Sequence, residues 1–138
     1  MELEFAMLAL GAEASQSGKL HIFGGAFDTV TVPELPWTIP PFAIVVQVSG
    51  GNIHAEELLS LRLIGINPVG EQRVLVEELS VKLQPPAPPE RVIAYASAIL
   101  NVGLKVGNYG CYKFRIEVND RELKTLNLWI QGEGENSQ

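Results

Sequence analysis

A chain of 138 residues, 46% hydrophobic and 19% charged, has the length of one domain and can bury roughly two-thirds of its unfolded surface, which excludes a disordered chain. Its net charge of −6, with ten lysines and arginines scattered along the sequence, argues against nucleic acid, whose phosphates call for clustered cations. It argues equally against an anionic membrane surface.

Glu2 to Ala12 alternates Leu3, Phe5, Met7 and Ala9, with Leu8 and Leu10 on the other face. Ala, Leu and Met also suit a helix, but the β character of the neighbouring segments favours a strand. Ser15 to Gly18 supplies a polar turn. Leu20 to Val32 reads as one strand interrupted at Gly24-Gly25, where a bulge or bend turns a sheet corner. Pro33 to Pro41 holds four prolines around Trp37 and predicts an extended linker crossing between sheets, because proline offers no N–H to a ladder. Phe42 to Val48 is apolar at nearly every position, as a central strand covered on both faces is. Gly50-Gly51-Asn52 ends it.

Glu56 to Ile66 is open to two readings. Residues 55–63 fit a short helix, while Leu59, Leu61 and Leu63 alternating with Ser60 and Arg62 fit a strand. The turn signal Asn67-Pro68-Val69-Gly70 and the next run, Arg73 to Leu83, favour a hairpin and hence the strand. Pro85 to Pro89 predicts a stiff spacer between sheets. Val92 to Val102 places Ala94, Ala96 and Ala98 on one face and Ile93, Tyr95 and Ile99 on the other. The alanine row lets a second layer approach closely, either the other sheet or another subunit.

Gly107 to Ile130 carries the clearest pattern. Tyr112, Phe114, Ile116 and Val118 alternate with Lys113, Arg115 and Glu117. Asn119-Asp120 turns the chain, and Leu126, Leu128 and Ile130 return on the same face. The expected fold is an all-β antiparallel sandwich of about eight strands, immunoglobulin-like in general architecture. Residues 1–131 form its single domain and 132–138 a flexible acidic tail.

The run AMLALGAEASQSGKLHIFGGAFDTV, Asn52 and His54 ahead of the next strand, and the closing hairpin NVGLKVGNYGCYKFRIEVNDREL together resemble a bacterial family of β-sandwich proteins of unknown function. The resemblance covers most of the chain. It implies a fold, carries no catalytic residues and is silent on chemistry.

Functional residue types are sparse. The single cysteine, Cys111, excludes an intrachain disulfide and reads as a small strand hydrophobe. With no basic start, and an apolar run at Phe5 to Leu10 too short to span a bilayer, the expected compartment is the cytoplasm. His21, His54 and Asp28 have the composition of a two-His-one-carboxylate metal site, but their placement on the strands does not bring them together, so no metal and no cofactor is expected. No GxSxG elbow and no phosphate loop occur. The paired carboxylates Glu56-Glu57 and Glu77-Glu78 fall on adjacent strand positions, which alternation points to opposite faces.

Trp129, between inward Leu128 and Ile130, falls with Asn127 and Thr125 on the outer face. That is a candidate contact for sugar or protein, unless the proline segment around Trp37 covers it. The candidate binding surface is therefore Trp129, Asn127, Thr125 and Trp37. The expected function is a non-enzymatic protein-interaction or scaffold module that self-associates, partnered by its own copies or another protein, with no nucleic acid and no membrane. The alternative is a small-ligand or carbohydrate-binding module using an outer-face aromatic.

Overall fold

A computed structural model describes residues 1–16, 19–86 and 92–133. Nine strands follow in chain order: β1 (Glu2–Ala14), β2 (Leu20–Gly25), β3 (Thr29–Val32), β4 (Trp37–Gly51), β5 (Glu57–Ile66), β6 (Gln72–Leu83), β7 (Ile93–Val106), β8 (Gly110–Val118) and β9 (Arg121–Gly132). They form a sandwich of two sheets, β2-β1-β4-β7 and β3-β9-β8-β5-β6. Neighbours are antiparallel except β3 and β9, which pair in parallel.

The core follows from period-two alternation. Ile44, Val46 and Val48 of β4, with Leu100 and Val102 of β7, face Leu61 and Leu63 of β5, Phe114 and Ile116 of β8, and Leu128 of β9. Each such side chain contributes roughly 1.5–3 kcal/mol on burial. Phe42 stacks edge-on against Phe27 and Phe114, with ring centroids 5.9 and 5.8 Å apart. The hairpin is as the sequence predicts. Tyr112, Phe114, Ile116 and Val118 are buried, and Asn119 and Asp120 both take positive φ, 50° and 64°, the conformation that a two-residue turn of matching twist requires.

Residues 57–66 are strand, the reading that the hairpin signal favours. Three features differ from expectation. First, Gly24-Gly25 marks the end of a strand rather than an interruption. Gly24 takes φ +57° and Ala26 φ 63°, and the chain leaves the four-stranded sheet after β2 to join the other as β3, which makes nine strands. Second, Pro40 and Pro41 lie inside β4, not in the linker; only Pro33 and Pro36 stand where the chain crosses between sheets. They are tolerated because β1 pairs with β4 only from Ala43 to Ser49, leaving β7 as the sole neighbour there, and because the register shifts between Ile39 and Phe42; a strand with one free side and a bulge tolerates a missing N–H.

Third, Glu77 and Glu78 together oppose Arg62, because Leu61 pairs with Leu79 while Leu63 pairs with Val76. This bulge overrides simple alternation: both carboxylates line one depression with Ser60, Arg62 and Asp120. The alanines of β7 face the opposite sheet, within the core. Gly132 belongs to β9; residues 134–138 of the expected tail, and 87–91 of the proline spacer, lie outside the described residues.

Candidate functional site

A concavity of about 380 Å³ opens at one end of the sandwich, where the β5–β6 hairpin, the end of β7 and the start of β8 meet. Its walls are two turns held by side chains. Asn67 Oδ1 accepts the Val69 and Glu71 amides at 3.2 and 2.8 Å, and its Nδ2 donates to Glu71 Oε1 at 2.9 Å. Across the cleft, the buried Tyr112 hydroxyl accepts the Gly107 and Asn108 amides at 3.3 Å and donates to the Asn108 carbonyl at 3.3 Å. A site framed in this way is organised before any ligand arrives.

The floor follows from strand register. Arg73 pairs with Gly65, and Gly65 with Phe114, so one row crosses the inner face of the five-stranded sheet with no side chain at its centre. Leu75 partly fills that gap: a Cβ on Gly65 would meet its Cδ1 at 3.0 Å. Leu104 completes the apolar floor from the facing sheet. Arg73 thus stands on the inner face at the mouth. Lys105 and Lys113, which belong by alternation to the outer faces of the two sheets, line the rim. Three of the ten lysines and arginines therefore converge on one opening. None of the three forms an ion pair with another described residue; the ion pairs among the described residues join Arg62 and Arg115 to Glu117, and Arg115 to Glu122. Glu71 is the carboxylate on the rim, and Asn67 holds it. Arg115 leaves the rim to donate to Gln72 Oε1 at 3.4 Å.

Trp129 is 51% exposed, and it stands with Asn127 and the half-buried Thr125 on the outer face of the five-stranded sheet. Cys111 lies opposite Trp129, and Lys113 opposite Asn127, so this patch adjoins the cleft rim. Trp37 is not part of it: it opens β4 in the other sheet, opposite Val106. His21 lies on β2, Asp28 between β2 and β3, and His54 between β4 and β5. Among the described residues no three His, Cys, Asp or Glu side chains cluster as metal ligands would. No helix of the described residues is long and apolar enough to cross a membrane. The cleft itself was not visible in the sequence: its cations are 8 to 40 residues apart, and the one available signal was the set of glycines at 65, 103 and 107.

A family model matches residues 4–131. The chain belongs to a family of unknown function, DUF6941. That membership agrees with the resemblance carried by the opening strand and closing hairpin. No curated protein matches the chain. Among solved structures it is similar to Pseudomonas fluorescens alkylpurine DNA glycosylase AlkC bound to DNA containing an abasic site analog, at 7% identity and a TM-score of 0.47. The match covers 91% of this chain and 30% of that one, so the chain spans about a third of the length of that enzyme. Two expectations are corrected by this neighbour, an enzyme held on DNA: that the chain is no enzyme, and that its partners are protein with nucleic acid excluded. Both are withdrawn. The likeness is weak and carries neither activity to this chain.

Proposed function

We propose that this member of DUF6941 is a small-ligand-binding module whose site is the end cleft. One observation carries the reading: the cleft is concave, floored by Leu75, Leu104 and Phe114, framed by two pinned turns, and rimmed by polar groups that converge. Such a combination, at a volume within the roughly 300–1,000 Å³ of ligand pockets, is the usual form of a small-molecule site. The exposed Trp129 patch adjoins the rim and serves as a neighbouring contact surface for a ligand that extends past Lys113. The compartment proposed is the bacterial cytoplasm, supported by the lone, half-buried thiol of Cys111.

The test is an amide-resolved NMR titration of the whole chain with a panel of aromatic and aliphatic compounds that are neutral, anionic and cationic. The expected result is movement of the amides at 65–73, 103–108 and 112–114. A panel that moves none of them overturns the reading.

A second reading, an interaction or scaffold module, is favoured by the edge of the four-stranded sheet. There the 14-residue β7 has β4 on one side and no neighbour on the other among the described residues, and Ile93 and Tyr95 are exposed. An unpaired edge with apolar side chains takes an extended peptide as an added strand. An alternating valine–threonine peptide is expected to slow hydrogen exchange at residues 93–105; unchanged exchange removes the reading.

A further inference from the structure

We infer that the end cleft takes an organic anion, an acidic group such as a carboxylate or phosphomonoester on an apolar body, with Arg73 as the principal anchor. The inference rests on the ligand-binding reading above and specifies its chemistry.

Charge distribution is the first argument. The chain is acidic, at −6, yet the end cleft is rimmed by Arg73, Lys105 and Lys113 against the single carboxylate of Glu71. In a protein of opposite overall sign, such a local excess of positive charge draws anions to one place and disfavours them elsewhere.

Availability is the second. Glu117 and Glu122 engage Arg62 and Arg115, and Glu71 is occupied by the Asn67 amide, whereas the three rim cations have no ion-pair partner among the described residues. Their donors remain open to a ligand. An arginine beside a carboxylate or phosphate offers two parallel N–H donors, the stronger and more directional arrangement.

Geometry is the third. Gly65 leaves the centre of the row from Arg73 to Phe114 without a side chain. An apolar body can therefore lie on the partly buried Leu75 and Leu104 while its acidic group meets Arg73 at the mouth. The two lysines belong to the rim, one from each sheet. A neutral ligand would leave these donors to water, and a cationic one would meet like charge, so the rim selects by sign as well as by shape.

Three aromatic probes that differ in charge separate this inference from the reading on which it rests: phenyl phosphate, benzyl alcohol and benzylamine. Each is titrated into the full chain and followed by the amides of Gly65, Arg73, Gly103, Lys105 and Lys113. Phenyl phosphate is expected to move these amides and to bind at least about tenfold more tightly than benzyl alcohol, the discrimination expected of charge-assisted hydrogen bonds. Arg73→Gln, at an exposed position that leaves the fold intact, is expected to lower phenyl phosphate affinity about tenfold and leave benzyl alcohol unchanged. Lys105→Gln and Lys113→Gln are each expected to lower it about threefold. If benzyl alcohol or benzylamine binds the cleft as tightly as phenyl phosphate, or Arg73→Gln changes nothing, the anion inference fails and the ligand-binding reading stands. If none of the three moves the cleft amides, both fail.

Discussion

On the outer face of the four-stranded sheet, Ala9, Ala43 and Val45 have no exposed surface; they lie beneath Phe5, Met7, Ile22 and Ile99 as a second apolar cluster, separate from the main core. The outer face of the five-stranded sheet is built differently. Arg62 pairs across the strands with Glu117 and Ile64 with Arg115, and Arg115 Nε sits 3.1 Å from Glu117 Oε2. One face shields its backbone with apolar side chains packed on one another, the other with charged side chains tied by ion pairs and hydrogen bonds. The contrast teaches that an outward position on a sheet is not by itself a solvated one. What separates the two faces is the size and branching of the neighbours on adjacent strands, which decide whether a small residue such as Ala43 is covered.

Four substitutions break or sharpen this contrast. The largest loss is expected from the interior both faces share: Phe114→Ala removes a ring with 1% exposure and should cost about 4 kcal/mol in denaturant unfolding. Val45→Asp then asks whether the apolar outer face behaves as interior. Placing an unpaired charge there should cost about 3 kcal/mol, and a loss below about 1 kcal/mol, the range of ordinary surface changes, would erase the difference between the faces.

Glu117→Gln makes the matching change on the charged face. Its side chain is 17% exposed and reaches both Arg62 and Arg115. The expected loss is about 1 kcal/mol, and it should shrink in salt near 0.5 M because partly exposed pairs are screened. The loss at Val45 should not respond to salt, and equal salt sensitivity at the two sites would count against the contrast. Asp120→Gly, at the turn beyond the charged face, should raise stability by about 0.5 kcal/mol, since glycine adopts φ 64° without the cost that aspartate bears. A loss there would mean that the Asp120 carboxylate has a favourable role at the depression it shares with Glu77 and Glu78.

The hairpin of β8 and β9 was legible because its information is local: strict alternation on both strands and a two-residue turn tolerant of positive φ. The class of the fold and the inward set of Tyr112, Phe114, Ile116, Val118 and Leu128 came with it. The exchange of sheets after Gly25 was half legible, since paired glycines mark a bend but not which sheet follows it. The place of Pro40-Pro41 within β4 was hidden because it depends on where β1 stops, a non-local fact. The bulge that gathers Glu77 and Glu78 opposite Arg62 was hidden for a related reason: register slips are set by the partner strand. Of the candidate site, Trp129 and Asn127 were correctly placed outward by alternation, whereas Trp37 was assigned to the same surface with no topological ground. The cleft is assembled from β5, β6, β7 and β8, and its three cations come from three strands, so no window of sequence contains it.

The parallel pair of β3 and β9 has a consequence for synthesis. Thr29 to Val32 align with Trp129 to Gly132, and Gln131 Nε2 donates to Thr31 Oγ1 at 3.3 Å across a separation of 100 residues. On the ribosome, β1, β2 and β4 can pair once residue 51 has emerged, whereas β3 waits for a neighbour made 100 residues later. A nascent chain therefore holds β3 with its hydrogen-bonding edge open until β9 is made. A pause anywhere between β4 and β9 prolongs the interval in which a chaperone, or another nascent chain, can occupy that edge.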